Sequence, residues 1–268
     1  MRRPAPAVLA GLALASTLLA GCGSTSSVGA PSASSGATQA SVTAVSGALT
    51  VFAAASLTDA FETLGSQFQK AHPGTTVTFN VGASSALATQ ITQGAPADVF
   101  ASASTKTMDT VVAARAASSP RPFAQNVMQI AVPPGNPAHI ASLADLAAPG
   151  VKVALCQAAA PCGATAARVL ANAGLTVTPV TEEADVKSTL AKVQLGEVDA
   201  GLVYVTDVLA ARGKVTGIEI PARVNASTSY PIAALTASKN PSLATAFVDY
   251  VLSADGVRVL TAAGFRQP

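Results

Sequence analysis

From residue 49 onward, short apolar runs alternate with polar turns. Leu49-Thr50-Val51-Phe52-Ala53 reads as a strand, rich in residues that suit a pleated, half-buried surface. In residues 56–71, Leu57, Phe61, Leu64 and Phe68 are spaced four, three and four apart, which predicts a helix with one buried stripe. Ser56 and Asp59 fit a capping box at its start. Residues 77–81 alternate as a second strand, and Gly82-Ala83-Ser84-Ser85 opens a helix carrying Leu87 and Ile91. Gly94-Ala95-Pro96-Ala97 then turns into a strand over residues 98–101.

The pattern continues with an apolar run at 127–132, stopped by Pro133-Pro134-Gly135-Asn136-Pro137. A short helix is predicted at 143–146, a strand at 151–155, a loop at 156–163 and a helix at 164–173 ended by Gly174. Residues 184–195 place Val186, Leu190 and Val193 on one helical face. A strand at 201–205 and a short helix at 207–212 follow. Further apolar runs lie at 218–220 and 230–235, and the chain closes with helices at 243–252 and 256–263. Short strands alternating with helices predict an α/β fold with mostly parallel sheets. No period of 20–50 residues recurs, which excludes a solenoid.

The first 47 residues do not share this pattern. Arg2 and Arg3 precede an apolar stretch at 8–19, too short to span a bilayer, and then Leu19-Ala20-Gly21-Cys22. That order is a secretory signal over residues 1–21, and its ending resembles a bacterial lipobox with Cys22 as the lipidated residue. Residues 22–47, mostly Ser, Gly, Ala and Thr, lack the apolar bulk to bury a core and are expected to be a flexible tether. The expected location is extracytoplasmic, held to the cell membrane by lipid alone.

Without residues 1–21, 14 of the 16 basic residues remain against 14 acidic ones, and only 4% of the chain is aromatic. A neutral, aromatic-poor body has neither the basic footprint nor the stacking platform of a nucleic-acid binder. Outside the cytoplasm, Cys156 and Cys162 suit a disulfide better than a metal clip. His72 and His139 are too few and too isolated for a zinc site.

Three strand-to-helix junctions place small residues where a helix begins: Ala55-Ser56-Leu57, Ala83-Ser84-Ser85 and Pro161-Cys162-Gly163-Ala164. A helix N-terminus exposes unpaired N–H groups and the positive end of its dipole, so an anion can approach closely there. Ser56 and Ser84 are equally compatible with simple capping, Val186 with a core position and Tyr204 with an ordinary strand aromatic.

Several motifs carry a resemblance. Val51-Phe52-Ala53-Ala54-Ala55-Ser56-Leu57-Thr58-Asp59-Ala60-Phe61 resembles the opening strand and helix of the molybdate-binding proteins of ABC transporters. Gly82-Ala83-Ser84-Ser85-Ala86-Leu87-Ala88 and Gly94-Ala95-Pro96-Ala97-Asp98-Val99-Phe100 are similar to that family's next two motifs. Pro161-Cys162-Gly163, Glu183-Ala184-Asp185-Val186, Gly201-Leu202-Val203-Tyr204, Tyr230-Pro231-Ile232 and Gly264-Phe265 follow in the family's order. The resemblance covers roughly residues 49–266.

It implies oxyanion contacts from the hydroxyl and N–H of Ser56 and Ser84, the N–H of Cys162 and of Val186, and the Tyr204 hydroxyl. At Cys162 the family has a small residue such as alanine, but only the backbone is needed, which leaves the side chain free for a disulfide. It further implies a two-lobed periplasmic-binding-protein fold of type II, with the ligand cleft between lobes. Lobe one would comprise 49–127 plus 231–268 and lobe two 128–230, with crossings near 126–129 and 229–232. The expected ligand is molybdate or tungstate, with no cofactor and no catalytic residue. The expected partner is a membrane permease, and the expected state a monomer. Competing readings are the same fold with sulfate, phosphate or an organic anion, an anion-sensing lipoprotein, and a serine hydrolase on Ser56 or Ser84. No Gly-x-Ser-x-Gly elbow supports the last of these.

Overall fold

The computed structural model describes residues 45–268. The expected signal peptide, Cys22 and the tether as far as residue 44 lie outside the described residues. The first part of the described chain holds β1 (Gly47–Ala54), α1 (Thr58–Ala71), β2 (Thr75–Gly82), α2 (Ser84–Thr92), β3 (Val99–Ala101) and α3 (Thr105–Ala113). β4 (Arg121–Val132) leads to β5 (Val153–Cys156), α4 (Pro161–Asn172), β6 (Thr181–Glu183), α5 (Val186–Gln194), β7 (Ala200–Tyr204), α6 (Val205–Ala210) and β8 (Thr216–Glu219). β9 (Ser227–Ala234), α7 (Pro241–Leu252) and α8 (Ala254–Ala262) end it.

The strands follow the order β2-β1-β3-β9-β4-β7-β5-β6, with β8 also paired to β4. β4 is the hinge of this path. Over Arg121–Val127 it pairs antiparallel with β9, and over Met128–Val132 with β7 and β8. A single strand therefore belongs to two sheets, and the change falls between Val127 and Met128.

The period-2 alternation of β1 divides the first sheet's core. Leu49 and Val51 face α1, α7 and α8, where the Phe68 and Phe247 rings meet edge-on at 5.2 Å. Phe52 faces the other way with Phe100, onto Leu87 and Ile91 of α2 and Met108 and Val111 of α3. Around the second sheet, Ile130, Val153 and Leu202 pack against Val169 of α4 and Leu190 and Val193 of α5.

The structure differs from the sequence reading at four points. The β1–β2, β1–β3, β5–β6 and β5–β7 pairings are parallel, but every pairing of β4 and β9 is antiparallel, so the sheets are mixed rather than mostly parallel. The capping box does not form. A 3-10 turn over Ala55–Leu57 precedes α1, whose N-cap is Leu57 with no side-chain bond. That turn puts Ser56 inside the helical path, without the extended backbone a cap requires. Its hydroxyl instead meets Tyr230, and Asp59 meets Lys187. α4 begins at Pro161, three residues early, because proline suits the first helical position, where no N–H is needed. Finally, α3 and β6 escaped prediction: α3 buries only Thr107, Met108 and Val111, and β6 is three residues long.

A disulfide joins Cys156, the last residue of β5, to Cys162 in the first turn of α4, with 5.8 Å between Cα atoms. It holds the connecting loop against the helix start so closely that a Cβ on Gly163 would lie 2.1 Å from the Gln157 carbonyl oxygen and 2.6 Å from that of Cys156. Both obstacles are backbone atoms, which cannot rotate aside. Gly163→Ala is therefore expected to destabilise the protein by about 1–3 kcal/mol, as overpacking does elsewhere. A thermal melt of the oxidised protein should show a drop of several degrees, and an unchanged midpoint would mean the loop stands off the helix.

Candidate functional site

α2, α4 and α5 all point their N-termini at one small cavity, completed by the 3-10 turn at Ala55–Leu57 and the end of β7. Ser56, Ser84, Cys162, Val186 and Tyr204 line it together, though the first and last are 148 positions apart in the chain (204 − 56). About 210 Å³ of space free of protein atoms, part of it open to solvent, lies between these residues.

The local structure explains what the cavity offers. In α2, α4 and α5 the first intrahelical bonds come from the N–H groups of Leu87, Ala164 and Thr189. The N–H groups of Ser84, Cys162 and Val186 precede those bonds and have no intrahelical acceptor. The N-caps of α2 and α4, Ala83 and Ala160, supply no side-chain acceptor either. The helix starts are open toward the cavity.

The hydroxyls follow the same rule. Ser84 Oγ accepts from the Ala103 N–H at 2.9 Å, and no protein acceptor takes its own proton among the described residues. Ser56 Oγ lies 2.8 Å from Tyr230 Oη. Tyr204 Oη, 1% exposed as a residue, has no hydrogen-bond partner among the described residues. Burial pushes the Tyr204 phenol well above its ordinary value, and the nearby Thr165 hydroxyl tempers the shift without reaching hydrogen-bond geometry. Thr165 donates instead to the Pro161 carbonyl at 2.8 Å. Tyr204 thus keeps its proton and finds no acceptor for it among the described residues, at a cost of about 1–3 kcal/mol for an unpaired buried group.

Among the described residues, no cation lines the cavity. Arg168 donates to the Ser227 carbonyl at 2.7 Å. Lys187, next to Val186, turns to Asp59 of α1 at 2.7 Å and stands 3.8 Å from Asp207 Oδ1. Asp185 does line the cavity, but its Oδ1 accepts the Ser188 N–H at 2.9 Å as the N-cap of α5. His72 and His139 are absent from the lining, and no cluster of metal-ligating side chains occurs among the described residues. Wider hollows flank the cavity, one beside α1, α6 and α8 and one between α3 and α4, but neither includes Tyr204.

A family model described as "Bacterial extracellular solute-binding protein" matches residues 49–266. The molybdate-binding protein ModA of Mycobacterium tuberculosis is 45% identical over 251 residues, 93% of each chain. This chain belongs to the bacterial extracellular solute-binding proteins. Its fold is shared with the periplasmic molybdate-binding protein of Azotobacter vinelandii, with a TM-score of 0.74 and 23% identity over 82% of this chain and 99% of that one. The sulfate-binding protein SubI of M. tuberculosis has the same fold, with a TM-score of 0.71 and 19% identity over 82% and 86%. The architecture of this solute-binding protein is thus the α/β fold of the periplasmic binding proteins.

Three supporting residues of this solute-binding protein had no assigned role in the sequence reading. Tyr230 and Asn126 sit behind Ser56, and Asp207 sits behind Tyr204. Tyr230 fell within a recognised motif, while Asp207 showed only as an acidic residue early in a short helix. Asp207 is fully buried; its Oδ2 accepts the Tyr204 N–H at 3.1 Å, and its Oδ1 lacks a hydrogen-bond partner among the described residues. Burial raises its carboxyl from 3.8 to about 7, against the pull of Lys187 and the Tyr204 N–H.

That shift has a signed consequence. Between about pH 4 and pH 7 the folded protein holds a proton on Asp207 that the unfolded chain has released, so stability falls as pH rises across the window. An asparagine in its place would still accept from the Tyr204 N–H without titrating. The stability of Asp207→Asn relative to the parent is expected to rise from pH 4 to pH 7, by at most about 1.4 kcal/mol per pH unit. Denaturant unfolding of both proteins at half-unit steps checks this, and parallel curves would contradict a buried, proton-holding Asp207.

Proposed function

We propose that this solute-binding protein captures a molybdate or tungstate dianion in the cavity at Ser56, Ser84, Cys162, Val186 and Tyr204, and delivers it to the permease of an ABC importer. One observation carries the reading: hydroxyl protons and helix-start N–H groups without protein acceptors converge on a small cavity that no described cation lines. A bare tetrahedral dianion supplies what they lack, four acceptor oxygens and no proton of its own. Preorganised neutral dipoles in a desolvated cleft hold such a charge, as helix N-termini and oxyanion holes do. The relationship to ModA selects molybdate within this class.

The role is binding rather than catalysis: among the described residues, neither serine hydroxyl is hydrogen-bonded to a histidine or a carboxylate that could act as its base. In this reading the protein works outside the cytoplasm as a monomer, anchored through lipidated Cys22. Two lobes close on the ligand, one built on residues 49–127 and the other starting at 128, where β4 changes partners. The Ser227–Thr228–Ser229–Tyr230 ladder on the first half of β4 supports moving the second crossing upstream of Ser227. Closure gives the permease a surface that differs between loaded and empty protein.

Each serine hydroxyl bonded to a dianion is worth about 1.5–3 kcal/mol, or roughly ten- to a hundredfold in affinity. Ser56→Ala and Ser84→Ala are each expected to weaken molybdate binding by that factor in titration calorimetry. Phosphate, which retains a proton near neutral pH, leaves a donor facing a donor and is expected to compete poorly. Sulfate satisfies the same donors and is rejected only through its smaller size. Parent-like affinity in both serine variants would overturn the site, and strong displacement of molybdate by sulfate at pH 7 would move the reading to sulfate.

A further inference from the structure

Tyr230 is fully buried, and its hydroxyl has two neighbours at hydrogen-bonding distance. One is Ser56 Oγ at 2.8 Å and the other Asn126 Nδ2 at 3.5 Å. The Asn126 orientation is set independently: Nδ2 donates to Thr206 Oγ1 at 2.8 Å, and Oδ1 accepts the Val127 N–H at 3.0 Å. An amide nitrogen cannot accept, so among the described residues the acceptor in reach of the Tyr230 proton is Ser56 Oγ. The reverse arrangement, with Ser56 donating to Tyr230, would strand the phenol proton in a buried site facing an N–H group. Burial also holds the Tyr230 phenol protonated, well above its usual range.

We propose that Tyr230 is a positioning residue for oxyanion capture: it donates to Ser56 Oγ and thereby commits the Ser56 proton to the cleft. The proposal rests on the reading of that cleft as an oxyanion site and adds how its donor character is enforced. The Ala103 N–H does the same for Ser84 by filling that oxygen from behind. Each serine could otherwise rotate to accept a proton from its ligand. With a donor already on one of its two lone pairs and its own proton without a protein acceptor, each serine turns that proton to the cleft, so a bias against protonated oxyanions is built into the wall rather than the rim. The Tyr230 ring packs edge-on against Phe123, Tyr204 and Phe265, which fixes the hydroxyl's position, and a phenylalanine at this position would preserve that packing.

The test is a double-mutant cycle read by calorimetry on the purified protein, with molybdate and with inorganic phosphate as probes. Tyr230→Phe is expected to weaken molybdate about three- to tenfold in the parent and less than about twofold in a Ser56→Ala background. It is also expected to narrow the preference for molybdate over hydrogen phosphate, because the released Ser56 hydroxyl can turn to accept. Parent-like affinity of Tyr230→Phe beside a weakened Ser56→Ala would overturn the relay and leave the site standing. Equal losses in both backgrounds would make Tyr230 a packing residue and overturn it too. Parent-like binding by Ser56→Ala would instead sink the site reading itself. Should Tyr230→Phe not fold, Asn126→Asp serves. Its carboxylate offers the Tyr230 proton another acceptor, and its charge repels the dianion in either background. The coupling to Ser56→Ala is then what is read: threefold or more supports the relay, and additive losses refute it.

Discussion

A buried O–H or N–H group must find an acceptor, and around one cavity of this protein the described residues provide none. Tyr204 Oη has no partner there, the Ser56 and Ser84 oxygens each already meet a donor behind them, and α2 and α4 start without side-chain caps. Local sequence could have relieved each of these at little cost; Asp185 does so for α5 by taking the Ser188 N–H. Leaving several uncapped in one place costs about 1–3 kcal/mol for each buried group. Acceptor oxygens entering the cavity recover that cost, and an oxygen with no proton of its own meets every donor without a clash. The site is thus built at the expense of stability, in the way strain collects at functional sites.

The charges nearby are arranged to keep this field neutral. Lys187 follows Val186 directly, close enough in the chain to reach an anion, yet it bridges Asp59 on α1 and approaches Asp207. Arg168 is likewise turned to a carbonyl at Ser227. An ammonium 4 Å from a unit negative charge attracts it by about 4 kcal/mol at an effective dielectric of 20, and a dianion by about twice that. Several such contacts would make release slow, since affinity differences are carried mostly by the off-rate. The Lys187–Asp59 pair also ties α5 to α1, two helices that pack on different sheets.

Much of this was legible in the chain because it is local. The 3.6-residue stripe of Leu57, Phe61, Leu64 and Phe68, the alternation in β1 and the Ser84 helix start all appear as written. Other elements left no local trace. α3 is polar apart from Met108 and two valines, and β6 is held by its ladder to β5 rather than by its own residues. The capping box failed for the opposite reason: its local signal was clear, but a buried tertiary partner, Tyr230, took the Ser56 hydroxyl. The five proposed contact residues come from motif resemblance, whereas the roles of their supports do not show in it, because the bonds that create those roles span long stretches of chain. Ser56 and Tyr230 are 174 residues apart, and Asn126 and Thr206 are 80 apart.

Those long-range bonds also explain why the supports lie where the chain crosses. Asn126 sits on β4 one residue before Val127, beside the point where that strand leaves β9 for β7 and β8. Tyr230 lies opposite Ala124 in the same ladder, and Thr206 is the second residue of α6, two positions after Tyr204. The bond from Asn126 to Thr206 therefore joins the crossing strand to the helix that follows Tyr204. The contact from Asn126 to Tyr230 joins it to the phenol behind Ser56. A hinge at β4 cannot bend without disturbing one of these bonds. The donors that define the ligand and the strand that joins the two sheets are thus parts of one hydrogen-bonded unit. In the proposed closing motion, filling the cavity and setting the angle between the sheets are then coupled, which is what a carrier needs if its transporter is to recognise the loaded form.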